Sequence, residues 1–356
     1  MRQAPTSQCR STLIEEGNPK FEVSVIDVAT KKTLYRLLRA ASTSIRFTPD
    51  GNRLVCLRPL GGDYNRAGDS PMRTQVDVHE ATTGKRLQTI ILPPGRPGTQ
   101  WGGNLFAPYA VADEVVVIPW TIGGATVYDL KTGKSRGDLA AGRRLEYISI
   151  SRDGRWLLAL EGKRHLSLWD VKGRKHEREL HKHDINISAI SISADGKWCA
   201  SVASGARCSL FNRKTGRLEA ETHTWGFPHD SDVGGALTAD GSRLMIRMES
   251  PKQPPLEPRP AWAEELDRNP NLTRSFLWIW DCRSGKPPRP LALVGDAETK
   301  ESWKDMGQFE PGVMTADGNR FASYPRYGKG GGVLVLELKD RKRPPVEKPE
   351  EPNAEK

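Results

Sequence analysis

At 356 residues, with 34 Gly and 26 Pro, the chain suits a fold of many short turns and is long enough to close one large all-β ring. Its net charge of +10 arises from 54 Lys and Arg interleaved with 44 Asp and Glu, which excludes a continuous basic block. A solvated basic surface is therefore preferred over nucleic-acid binding, since even the densest basic stretch, residues 143–178, also holds Glu146, Asp153, Glu161, Asp170 and Glu177.

In chain order, residues 1–10 form a polar arm, and a first unit follows with strands expected at 11–16, 21–28 and 33–38. Further units are expected at 44–91, 105–139, 146–180, 188–221, 235–293 and 312–338. The fourth shows the plan most clearly. An alternating run, Ile-Ser-Ile-Ser from Ile148, meets the Asp153-Gly154 turn. The apolar run Trp156 to Leu160 comes next, then His-Leu-Ser-Leu-Trp-Asp ending at Asp170, then a Gly turn and a fourth strand near 176–180. The seventh unit has strands at 313–316, 321–324 and 333–338, and the Pro- and charge-rich tail 343–356 is expected to be disordered. Two three-stranded end units would meet at the closure. That predicts either less stable ends or a chain that begins further upstream.

We label the strands of a unit a to d. The third ends in a recurring pair: Ile26-Asp27, His79-Glu80, Tyr128-Asp129, Trp169-Asp170, Phe211-Asn212, Trp280-Asp281 and Leu336-Glu337. The acid positions are spaced by 53, 49, 41, 42, 69 and 56 residues, a minimal unit with loops inserted. Glycine follows at Gly84, Gly133, Gly173, Gly216 and Gly285, and the a–b turn reads Asp50-Gly51, Asp153-Gly154, Asp195-Gly196, Asp240-Gly241 and Asp317-Gly318, with Asp113-Glu114 in the third unit. Runs such as Trp156 to Leu160 and Val115 to Ile118 are apolar on both faces, so each sheet must be covered from both sides. Sheets stacked around an axis meet that demand, which predicts an all-β, seven-bladed β-propeller over residues 11–342 with terminal blades of three strands.

The pattern over residues 13–342 resembles the WD40 repeat family in a degenerate, bacterial form. The resemblance implies a scaffold or interaction role. It also places His183 and Ser201 in a buried hydrogen-bond network of the family, with Gly205 where that network has an Asp and Phe211 in place of its Trp. The network is thus expected to be broken, leaving packing to hold the blade.

Other chemistry is sparse. Five cysteines, Cys9, Cys56, Cys199, Cys208 and Cys282, lack CxxC spacing, which argues against zinc or a secreted disulfide framework; Cys199 and Cys208 read as buried thiols. Residues 1–10 lack a signal-peptide core and no apolar run reaches membrane-spanning length, so a soluble, cytoplasmic protein is expected. His223, His229, Asp230 and Asp232 have metal-ligand side chains but no fixed spacing on a regular element, so no metal is expected. His181 and His183 read as structural. The Gly-rich run 328–332 leads into a strand, not a helix, and neither a Gly-x-Ser-x-Gly nor a phosphate loop is present, so no cofactor is expected.

Turns alternate between the two ends of a meander. The a–b and c–d turns are tight and share one face, while every long insertion is a b–c or d–a connection on the other. Those insertions carry Tyr64, Trp101, Trp120, Trp225, Phe227, Trp262, Trp303, Tyr324, Arg326 and Tyr327, residue types that often anchor protein partners. Residues 258–269 are read as a short helix across the ring mouth. The expected function is non-enzymatic binding of a protein or peptide on this face. The rivals are a lactonase- or hydrolase-like propeller enzyme with its site at the channel mouth, and a nucleic-acid binder with its basic side chains gathered in one groove.

Overall fold

The computed structural model describes residues 7–14, 20–27, 33–37, 44–60, 73–93, 109–120, 123–203, 207–223, 233–248, 276–286, 288–290, 313–314, 320–323 and 334–337. Among them every regular element is a strand, and every pairing is between antiparallel neighbours. The first sheet holds β1 (Ser7–Ile14), β2 (Lys20–Asp27) and β3 (Thr33–Leu37). The second holds β4 (Ser44–Phe47), β5 (Arg53–Leu60), β6 (Arg73–Glu80) and β7 (Arg86–Ile91). The third holds β8 (Ala110–Val111), β9 (Val115–Pro119), β10 (Ala125–Asp129) and β11 (Ser135–Leu139). The fourth holds β12 (Leu145–Ile150), β13 (Trp156–Glu161), β14 (His165–Asp170) and β15 (Lys175–Lys182). The fifth holds β16 (Ile187–Ile192), β17 (Trp198–Ala203), β18 (Arg207–Asn212) and β19 (Leu218–His223). The sixth holds β20 (Val233–Leu237), β21 (Arg243–Met248), β22 (Phe276–Asp281) and β23 (Arg289–Pro290), and the last holds β24 (Val313–Met314), β25 (Arg320–Ser323) and β26 (Leu334–Glu337). β1 begins at Ser7, so part of the expected arm is strand paired with β2.

Two-sided apolar strands are used as their sequence demands. On β13, Leu157 and Ala159 pack with Val115 and Val117 of the third sheet, while Leu158 and Leu160 pack with Cys199 and Phe211 of the fifth. The second sheet meets the third through Val55, Val76, Val116 and Ile118, and the fifth meets the sixth through Val202, Leu210, Ile246 and Trp280. Leu157 and Leu158 are both wholly buried. Each such side chain stabilises the fold by about 1.5–3 kcal/mol, and no single sheet could shelter both.

The tight turns hold more than glycine. In four a–b turns a Ser or Thr two residues before the Asp closes a ring of bonds. Thr48, Ser151, Ser193 and Thr238 donate their hydroxyls to Asp50, Asp153, Asp195 and Asp240 at 2.5–2.8 Å. The same hydroxyls accept the first amide of the next strand, from Arg53, Trp156, Trp198 and Arg243, at 3.0 Å. Burial works against the charge on Asp50, Asp195 and Asp240, but these bonds outweigh it and hold all three carboxyls below the usual range.

The turns are also bonded in series from sheet to sheet. The Asp113 amide donates to Arg152 O, Arg152 to Ala194 O and Asp195 to Ala239 O, at 3.1–3.2 Å. Asp113, which lacks the Ser/Thr ring, serves as a linker instead. Its carboxylate accepts the Asp50 amide at 2.7 Å on one side and Arg152 Nε at 2.9 Å on the other. Asp113→Ala is therefore expected to cost about 2 kcal/mol in urea unfolding, from two charge-assisted bonds lost at once. A change within a few tenths would show that the turns do not depend on it.

Two readings need correction. The c–d turn position filled by glycine at Gly84, Gly133, Gly216 and Gly285 is filled in the fourth sheet by Arg174 (φ +51°), not by Gly173. The turn has the same length as the others, and its glycine stands one residue early. The His183–Ser201 link also survives: the Ser201 hydroxyl lies 3.0 Å from His183 Nε2, so that part of the network does not depend on an Asp.

Candidate interaction surfaces

Antiparallel order fixes where each connection lies. Residues 61–72, 92–109, 224–232, 249–275, 291–312 and 324–333 join strands at the end opposite the tight turns. Tyr64, Trp101, Trp225, Phe227, Trp262, Trp303, Tyr324, Arg326, Tyr327, His229 and Asp230 fall outside the described residues, as does the helix expected at 258–269. His223 ends β19. Trp120 is the candidate whose side chain is described. It is half-buried, and its Nε1 donates to Thr126 Oγ1 at 2.8 Å, which in turn donates to Asp138 at 2.8 Å. Its indole is thus tied to its own sheet.

Thr126 belongs to a repeated polar position that the sequence reading missed. Asp77, Thr126, Ser167 and Ser209 each stand three residues before the terminal acid or amide of strand c, and all but Asp77, at 6% exposure, are at most 2% exposed. Asp77 accepts from Thr89 at 2.8 Å, Ser209 donates to Glu221 at 3.0 Å, and Ser167 donates to Glu161 while accepting Trp169 Nε1 at 3.0 Å. A buried hydroxyl or carboxylate needs such a partner. The recurrence of a polar residue inside otherwise apolar strands was the available signal.

His183 is 1% exposed, its ring 4.5 Å from that of His181 and edge-on to Phe211. Burial, with the nearby positive charge of Arg207 and the His181 ring, pushes its pKa down to about 4, so it is neutral and structural. Burial likewise pushes the thiols of Cys199 and Cys282 up to about 12, and that of Cys208 upward, making them inert. Among the described residues no group of three or more His, Cys, Asp or Glu could hold a metal ion, and no helix is long and apolar enough to cross a membrane.

On the tight-turn face, tryptophans stitch neighbouring sheets together. Trp156 packs on the Gly196 turn under the Arg213 guanidinium, 4.1 Å from the ring centre, and Arg213 Nε donates to Gly196 O at 2.5 Å. Trp198 packs on Gly241 under Arg283 at 5.2 Å. Arg213 and Arg283 are both committed to such links. A groove lies on the rim of this face, between β19 and the turn after β22; it has a volume of about 470 Å³ and is lined in part by Trp198, Leu210, Glu219 and Lys286.

No family model matches the chain, and no curated protein matches it. Solved structures do. A chain of "Kuenenia stuttgartiensis Hydrazine Synthase" is similar at 17% identity and a TM-score of 0.56, over 84% of this chain and 77% of that one. A chain of "Crystal Structure of Mitotic Checkpoint Complex" is similar at 12% identity and a TM-score of 0.59, over 95% and 93%. With the antiparallel sheets above, these likenesses identify the fold as an all-β propeller.

Proposed function

We propose that this propeller is a non-enzymatic scaffold of the WD40 kind that binds a protein or peptide through the face bearing its long connections. The observation that carries this reading is the inequality of the two faces. Several tight-turn side chains are committed to bonds to their own turn or the next, as at Ser193–Asp195 and Arg213–Gly196. The aromatic-rich connections all join strands at the other end. The WD40 reading is supported by Trp169-Asp170 and Trp280-Asp281 at the ends of β14 and β22, and by the His183–Ser201 bond. One structural neighbour belongs to a complex and the other is named as a synthase, so the fold alone favours neither class. Asp50, Asp240 and the buried His183 have structural partners, which supports binding over catalysis.

Trp225, Trp262 and Trp303 changed together to Ala are expected to abolish capture of partner proteins in an affinity pull-down while strand content stays unchanged. An unaltered set of captured proteins with the fold intact would remove the long-loop face as the interface.

A further inference from the structure

At four junctions between sheets the outer rim is closed by one long side chain and one glycine that makes room for it. Tyr35 on β3 lies against Gly84, Gln88 on β7 against Gly133, and Arg178 on β15 against Gly216. A Cβ added to these glycines would come to 2.7 Å from Tyr35 Cε2, 3.1 Å from Gln88 Cδ and 3.5 Å from Arg178 Cδ. Between the third and fourth sheets the roles are exchanged: Gly137 sits on β11 and Arg174 on the turn, with a Gly137 Cβ 2.6 Å from Arg174 Nη1. The strand positions are equivalent, pairing with Val25, Val78, Val127 and Leu168 of strand c.

Among the described residues the next junction has neither filler. Register places Ala220 at this position on β19, opposite Leu210, and a Cβ on the facing Gly285 would meet nothing within 4 Å. The groove described above is the space so left. Trp198, Leu210 and Cys282 line it, with exposed Glu219 on one lip and exposed Arg283 and Lys286 on the other.

We infer that this groove receives an arginine side chain from a partner polypeptide. The preceding junction shows which chemistry fits. There Arg178 is the filler, and its Nη2 lies 3.8 Å from Glu177 Oε1. Glu219 holds on β19 the place of Glu177 on β15, each being the unpaired residue of a bulge next to the filler position. The turn facing Arg178 carries Lys214 and Arg217 at the positions of Arg283 and Lys286, so two bases across the groove are compatible with a guanidinium inside it. Arg283 is also committed elsewhere, over the Trp198 ring and donating to Asp240 O at 3.4 Å. Glu221 also lines the groove, with its carboxylate accepting from Ser209 Oγ at 3.0 Å. An incoming arginine thus finds apolar walls for its methylenes and the Glu219 carboxylate for its head.

The inference does not depend on the long-loop interface, and its test separates the two. Protein labelled at its alanine methyl groups is titrated with the capped peptide Gly-Ala-Arg-Ala-Gly and with the same peptide carrying citrulline, which keeps the shape without the charge. The Ala220 methyl signal, assigned by its loss in Ala220→Arg, should shift saturably with the arginine peptide, in the millimolar range expected of one anchored side chain. The citrulline peptide, and Glu219→Gln protein with the arginine peptide, should bind roughly fivefold or more weakly through loss of the charge-assisted contact. Ala220→Arg supplies the filler from within and should fold but no longer bind. The Trp225, Trp262 and Trp303 triple variant should bind the peptide as before. The inference is overturned by an Ala220 signal that does not move, by equal binding of the citrulline peptide, or by failure of Ala220→Arg to fold.

Discussion

Gly241→Ala is expected to destabilise the protein by about 3 kcal/mol or more, whereas Gly142→Ala costs about 1 kcal/mol. Both glycines have positive φ, +72° and +75°, so each substitution carries the strain of a left-handed L-residue. Their surroundings differ. A methyl group at Gly142 would meet nothing within 4 Å. At Gly241 it would run into Trp198 at Cβ (2.7 Å), Cγ and Cδ1. Trp198 cannot yield cheaply, because it is the first residue of β17, its amide is bound to Ser193 Oγ, and Arg283 lies over its ring. The expected damage includes the seam between the fifth and sixth sheets, since the Arg283 guanidinium would lose its platform. Urea midpoints of the two variants against the parent measure this. Equal losses would mean that Trp198 does not depend on close approach to the turn.

That contrast marks what was legible in the sequence. Asp-Gly and Thr-Gly pairs announce where the backbone must turn, and two-sided apolar runs such as Trp156 to Leu160 announce that sheets lie on both sides, because both signals are local. Which residue touches the neighbouring sheet is not local. Nothing in the string Val-Lys-Gly-Arg says that Arg174 takes the left-handed position while Gly137, far back in the chain, clears the space for it. The Ser or Thr two residues before each turn Asp was readable at Thr48, Ser151, Ser193 and Thr238 and passed unnoticed, because Asp-Gly alone explains a turn. The groove at Ala220 lay beyond reach for a further reason: it is defined by a missing side chain, and an alanine in a strand carries no signal until the equivalent positions are aligned by register. Of the aromatic binding candidates, Trp120 shows how an indole in a connection can be spent on its own sheet.

Acidification from pH 7.5 to 5 should reduce stability by about 2 kcal/mol through His183 alone. The imidazole is buried, bonded through Nε2 to Ser201, and its Nδ1 has no partner. Burial, His181 and Arg207 hold its pKa near 4, and the opposing pull of Glu221 and Asp184 does not compensate. In the unfolded chain an ordinary histidine titrates near 6.5. Above that pH neither state is protonated and the full stability is present. Below it the unfolded state binds a proton that the folded state refuses until about pH 4, so stability drains away across that interval. The turn carboxylates act in a separate window. Burial opposes the charge of Asp129, but bonds from Arg136 and Thr132 bring its pKa to about 2, so its contribution is present above the ordinary carboxylate pKa and is lost only at more acid pH. Urea unfolding of wild type and His183→Gln at pH 7.5 and 5 isolates the histidine, because the other six histidines are common to both proteins. The variant should lose distinctly less stability across the interval. An identical loss in the two proteins would mean that the ring is protonated in the folded state, and that the His183–Ser201 bond joins a cation to the fifth sheet rather than a neutral base.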